Sequence, residues 1–163
     1  MRSAQSKIID RKTAIETTAQ LKRAGKVVVL ANGCFDTLHV GHIRYLAGAK
    51  REGDLLIVAV NSDESVKCLK GSGRPVLDEQ ARAQLVAALR DVDYVLIFPE
   101  PDVAPLLEEL RPTVHAKGTD YTAETVPERA TSQRLGIRVA IVGDPKDHST
   151  RSFFESVRKG PHG

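Results

Sequence analysis

The chain has 163 residues and a mass of 17.8 kDa, enough for one domain with a sizeable core and too little for two comfortable ones. Its 41% hydrophobic and 28% charged content is ordinary for a soluble globular protein, and 4% aromatic content argues against stacking platforms for single-stranded nucleic acid. A net charge of +3 with no Lys/Arg block suits an anionic small-molecule substrate and marks no nucleic-acid surface.

The opening MRSAQSKIIDRK lacks the apolar core of a signal peptide, and no apolar run approaches the roughly 20 residues of a membrane span. Cys34 and Cys68 fit neither a disulfide framework nor a metal knuckle, which points to a reducing compartment. A cytoplasmic protein without a membrane partner is therefore expected. Residues 11–24 read as a helix, with Asp10 or Thr13 as cap, Ile15, Ala19 and Leu21 apolar, and Gly25 as stop.

The unbroken apolar run 27–31 predicts a strand buried on both faces. Asn32 and Gly33 break it. After a short loop a helix starts near Gly41, with Ile43, Leu46 and Ala47 on one face and Gly53 placed to end it. A strand, loop and helix in that order aim the helix N-terminus at the strand's carboxyl end, where a phosphate can sit. His39 and His42 lie there, three apart with Gly41 between them. Imidazoles donate to phosphate oxygens, and Gly41 lets the backbone come close. Such a pair can equally be surface or capping residues; as zinc ligands the two lack a Cys or carboxylate cluster to complete the set. Cys34 reads as a nucleophile or, more simply, as a small apolar residue behind the loop.

A second buried strand, 55–60, ends in the polar turn Asn61 to Asp63. Then come a short helix through Val66 and Leu69 and the loop KGSGRPVLDEQ, where Lys67, Lys70 and Arg74 around two glycines form a cationic flap or a solvated surface loop. Asp78 caps a helix with Leu85, Ala88, Leu89 and Val92 at helical spacing and Arg82 exposed near its first turn. Strand 94–98 follows, then a helix through Val103, Leu106, Leu107 and Leu110 that Pro112 cannot continue. A short strand from Thr113 to Ala116 opens into KGTDYTAET, and residues 125–135 are a weaker helix ended by Gly136. Strand 137–142 leads through GDPKDHST to a final helix from about residue 149, whose Phe153, Phe154 and Val157 would pack on the sheet. Ser149 and Thr150 either cap it or bind phosphate.

Five apolar strands alternating with helices predict an α/β fold: a Rossmann-like five-stranded parallel sheet with helices on both faces, in a single domain over 1–163. Its core would cover about 25–158, with residues 159–163 a disordered tail. No G-x-G-x-x-G follows the first strand, so a dinucleotide site is not expected.

The string G-C-F-D-T-L-H-V-G-H from Gly33 to His42 resembles the signature of the nucleotidyltransferase (cytidylyltransferase-like) superfamily. ANGCFDTLHVGHIRYL, GDLLIVAVNSD, LKGSGRPV, RAQLVAALRDVDYVLIF, KGTDYT and HST extend the likeness, which is strongest to the heptose-1-phosphate nucleotidyltransferases. The resemblance implies transfer of a nucleotidyl group from ATP to a sugar 1-phosphate, with Mg2+ carried on the triphosphate and no metal site built from protein. His39, His42 and Lys70 would be catalytic. Asn32, Gly33, Cys34, Phe35, Gly41, Lys117, Gly118, Asp120, Ser149 and Thr150 would hold the nucleotide. Asp36, Lys67, Arg74, Arg82 and Tyr121 would serve the acceptor, Asp36 by holding the loop or by helping to place the metal and the second substrate. Homodimers occur among similar enzymes, and no interface is legible here. The alternatives are a CTP-using, glycerol-3-phosphate cytidylyltransferase-like enzyme and a non-catalytic nucleotide sensor.

Overall fold

A computed structural model describes residues 2–144, 155, 157 and 158. Five strands, β1 (Val28–Gly33), β2 (Leu55–Asn61), β3 (Tyr94–Phe98), β4 (Val114–Lys117) and β5 (Arg138–Ile141), form one parallel sheet in the order β3-β2-β1-β4-β5. The order reverses between β1 and β4, so the crevice above their carboxyl ends is the place where an open α/β sheet binds ligands. The connecting helices are α1 (Ala4–Lys7), α2 (Arg11–Arg23), α3 (Val40–Lys50), α4 (Asp63–Lys70), α5 (Glu79–Ala87), α6 (Ala104–Leu110) and α7 (Arg129–Leu135).

Alternate strand residues feed two cores. Val29, Ala31, Leu56, Val58, Val60 and Val95 pack with Leu46, Ala83 and Val86 on one face. Val28, Leu30, Ile57, Ala59, Leu96 and Phe98 pack with Ala14, Leu106 and Leu107 on the other. Double coverage explains the unbroken apolar runs, since no strand position in the centre faces water. Each of these larger side chains contributes about 1.5–3 kcal/mol by leaving water. Gly53 is needed for close approach: a Cβ there would meet Val27 O and Val29 Cγ2 at 2.7 Å, where the chain after α3 crosses the base of β1.

Several expectations change. The short α1 was not foreseen; Ser3 caps it, and Ile8 after it bridges to Val95 on the edge strand. The inward face of α3 is Leu46 and Ala49, and Ile43 is exposed. Arg82 is fully buried rather than exposed, and the inward face of α5 is Ala83, Val86 and Ala87, with Leu85 outside. The stripe was read out of phase because its true positions carry small alanines and a charge. The helix ends at Ala87, ahead of Leu89 and Val92. α7 starts at Arg129 rather than 125, because Pro127 lies ahead of it and Glu128 takes the N-cap position. Glu155, Val157 and Arg158 are helical, but Val157 is exposed instead of packing on the sheet. Ser149, Thr150, Phe153, Phe154 and residues 159–163 lie outside the described residues. Among the described residues no helix is long and apolar enough to cross a membrane.

Candidate active site

The loop between β1 and α3 is held from several sides. Phe35 adopts φ 49°, a left-handed conformation that costs a non-glycine residue roughly 1 kcal/mol or more. Its ring is buried against Gly33, where an added Cβ would come within 3.1 Å of it, and tilts against His42 at 5.2 Å between centroids. Asp36 is 1% exposed, and its carboxylate accepts from the Val76 amide at 2.7 Å and from Arg74 Nε. Burial pushes the Asp36 carboxyl up, but the Val76 amide and Arg74 outweigh it and hold the group below the usual carboxylate range. Asp36 thus ties the signature loop to the flap.

Arg82 closes the same loop from behind. Its guanidinium donates to Cys34 O at 2.6 Å, Asn61 O at 2.7 Å, Leu77 O at 3.0 Å and Asp63 Oδ1 at 2.8 Å. One side chain therefore joins the ends of β1 and β2, the start of α4 and the end of the flap. Cys34 Sγ lies 3.8 Å from Asn61 Oδ1. Burial raises the Cys34 thiol, opposed first by the charge of Lys70 and then by that of Arg82. A thiol in that state packs rather than attacks. Lys70 is the terminal residue of α4 and is exposed, with Lys67 also exposed one turn earlier.

His39 and His42 build the start of α3. His39 is the N-cap, and its Nδ1 accepts from the Gly41 amide at 3.1 Å; His42 Nδ1 accepts from the His39 amide at 3.3 Å. This is a reciprocal capping box made of two imidazoles, which occupies two of the helix's orphan amides. The rings stack at 3.9 Å between centroids, and neither is buried. Because each Nδ1 accepts a hydrogen bond, each neutral ring carries its proton on Nε2, the nitrogen that serves as donor.

Across the crevice, Asn32 at the end of β1 meets buried His115 of β4: Nε2 lies 2.9 Å from Asn32 Oδ1. The amide oxygen accepts, so His115 holds its proton on Nε2 and leaves the Asn32 amide nitrogen as donor. Burial, with Lys117 nearby, lowers the His115 pKa to about 3. Lys117 ends β4, 7% exposed, with Nζ 3.7 Å from Glu128 Oε2 and 4.7 Å above the ring of Tyr121. Gly118 follows, and Asp120 is exposed in the next loop. The Tyr45 phenol of α3 donates to Ala116 O at 2.8 Å, locking the histidine helix onto β4.

Thus β1 and β4 are joined through Asn32 and His115, α3 and β4 through Tyr45 and Ala116, and the signature loop and flap through Asp36 and Arg74, with Gly33, Phe35 and His42 packed together between them. The family model described as cytidylyltransferase-like matches residues 30–156. The chain belongs to the cytidylyltransferase-like family. Among its relatives, the bifunctional protein HldE of Syntrophotalea carbinolica is 43% identical over 152 residues, covering 93% of this chain and 31% of its own length. HldE of Geotalea uraniireducens is 47% identical over 139 residues, covering 85% of this chain and 28% of its own length. The chain spans about a third of the length of these relatives. The crystal structure of the lipopolysaccharide core biosynthesis protein from Thermoplasma volcanium has a TM-score of 0.64 at 28% identity, covering 75% of this chain and 100% of that one.

Sequence reasoning missed Asn61, Tyr45, His115 and Glu128, which the structure sets against Cys34, Ala116, Asn32 and Lys117. The signal for His115 and Lys117 was present: two polar residues alternate with Val114 and Ala116 in a strand too short to waste them on solvent. Glu128 had none, being one carboxylate in a polar stretch that only the fold turns inward.

Proposed function

We propose that the chain transfers an adenylyl group from ATP to a heptose 1-phosphate, releasing pyrophosphate. The observation that carries this reading is the two-histidine capping box. With both Nδ1 atoms accepting at the start of α3, the box makes Nε2 the donor atom of each ring and holds the two rings together at the helix N-terminus of a parallel-sheet fold. The heptose acceptor is supported by the likeness of the motifs to heptose-1-phosphate nucleotidyltransferases, by similarity to HldE proteins and by the likeness to a lipopolysaccharide core biosynthesis protein.

In this reading an oxygen of the acceptor's phosphate attacks the α-phosphorus of ATP in line. The new P–O bond forms as the bond to the β-phosphate bridging oxygen breaks, and pyrophosphate leaves with that electron pair. A phosphate monoester is nucleophilic at neutral pH without a general base, so the protein's work is positioning and neutralisation of charge. His39 and His42 donate to the transferred phosphoryl and the β/γ side; Lys70 adds positive charge from the flap; Asn32 donates from its amide nitrogen. Mg2+ fits this site as a companion of the triphosphate. Among the described residues no cluster of three or more His, Cys, Asp or Glu could hold a metal ion, and both Asp36 oxygens are engaged by Val76 and Arg74. Bound that way, the ion would neutralise phosphate charge.

The test is pyrophosphate release from a panel of ATP and CTP against heptose 1-phosphate, glycerol 3-phosphate, phosphopantetheine and FMN. ATP with heptose 1-phosphate should be fastest. Tight ATP binding with no release from any pair would make the chain a sensor instead.

A further inference from the structure

Lys117 and Glu128 form a buried pair that is incomplete. Their side chains are 9% and 6% exposed, yet Nζ and Oε2 stand 3.7 Å apart, beyond hydrogen-bond reach. Glu128 Oε2 has no hydrogen-bond partner, and Lys117 Nζ faces the ring of Tyr121 at 4.7 Å. Two desolvated charges in this state recover little of what burial costs them. A group that completes the pair must accept from the ammonium and donate to the carboxylate. A phosphate oxygen only accepts, and Glu128 would repel it; a hydroxyl does both.

The pair adjoins the candidate active site. It lies at the carboxyl end of β4, next to Ala116, whose carbonyl accepts from the phenol of Tyr45, one turn beyond His42 on α3. We propose that Lys117 and Glu128 together clamp a hydroxyl of a polyhydroxy ligand at the β1/β4 crevice, either the ribose of the nucleotide or the sugar of the acceptor phosphate. The proposal rests on the nucleotidyl-transfer reading and deepens it: Glu128 becomes a determinant of which hydroxyl-bearing substrate is held, and Lys117 serves a hydroxyl rather than a phosphate.

Glu128→Gln and the double variant Lys117→Met/Glu128→Gln separate the clamp from a merely structural pair. The double variant removes the lone buried charge that would destabilise the single one, so its melting temperature should return toward wild type while binding does not. Calorimetry with ATP, 2′-deoxy-ATP, 3′-deoxy-ATP and heptose 1-phosphate reads the clamp without turnover. The Gln variant should weaken one of the two substrates about tenfold or more, the scale of a hydrogen bond to a charged group. If the ribose is held, the loss appears with ATP and vanishes with the deoxynucleotide lacking that hydroxyl. If the acceptor is held, ATP binding stays unchanged and heptose 1-phosphate binding falls. Unchanged binding of both, binding restored in the double variant, or a wild-type chain that binds neither would overturn the clamp. A wild-type chain that binds both yet releases no pyrophosphate sinks the reaction and leaves the clamp standing.

Discussion

Arg82 Nη1 donates to the carbonyl of Cys34 at 2.6 Å while the arginine side chain itself has no solvent exposure. The contact makes a charged residue part of the scaffold beneath the signature loop. With further bonds to Asn61 O, Leu77 O and Asp63, the guanidinium fork fits four acceptors at once. A lysine cannot reproduce that planar geometry. Arg82→Lys should destabilise the chain by about 2–4 kcal/mol in urea unfolding. It should also lower kcat/KM for both substrates together. A variant of wild-type stability that loses only acceptor affinity would instead make Arg82 a substrate contact.

The histidine pair has a folding role and, in the proposed reaction, a chemical role that one substitution can separate. Asparagine is a preferred N-cap, so His39→Asn keeps the start of α3 while removing the imidazole donor. Turnover should fall about 100-fold, with unfolding free energy within about 1 kcal/mol of wild type. His42→Ala removes a ring that both accepts from the His39 amide and donates from Nε2. It should lower turnover by about two to three orders of magnitude and cost about 1 kcal/mol of stability. Wild-type turnover in a folded His42→Ala chain would remove the assigned role.

Asp36 couples the signature loop to the flap through Arg74 and Val76. Arg74→Ala should leave the sheet intact and loosen the segment around Gly71 and Gly73, whose positive φ values mark a chain path suited to glycine. Faster proteolytic nicking of that segment and a raised KM for the nucleotide are expected. Unaltered nicking would show that Val76 alone suffices as the latch.

Buried His115 sets a pH limit. Its folded pKa, lowered to about 3 by burial and then by Lys117, lies below the usual 6.5, so the unfolded chain binds the extra proton between those values. Stability therefore falls as pH drops through that window, by up to about 1.4 kcal/mol per unit. His115→Gln should flatten this limb when unfolding free energy is followed from pH 7 to 4. The loss that remains at more acid pH then belongs to groups such as Asp36, whose lowered pKa places its contribution below 3.8.

The sheet was legible because each central strand opens as an unbroken run of apolar residues and turns polar only at its carboxyl end. The histidine pair stood out through the string from Gly33 to His42 rather than through its spacing, which a surface or capping pair would share. Arg82 was not: a lone charge among alanines reads as a surface position until the carbonyls of Cys34 and Asn61, 48 and 21 residues away in sequence, are brought to it. Glu128 fails in the same way, since its partner Lys117 belongs to another element. Periodicity reports which face is apolar, but it cannot report a polar atom satisfied from a distant strand.

The imidazole capping box joins two selections that are usually separate. A screen of random variants scored only for soluble expression should already deplete non-capping residues at positions 39 and 42, because losing either cap frays the start of the helix. Tolerance at those positions would then favour side chains that cap without catalysing. Inactive but well-folded descendants of this chain should carry asparagine, serine or aspartate at position 39 far more often than any apolar residue.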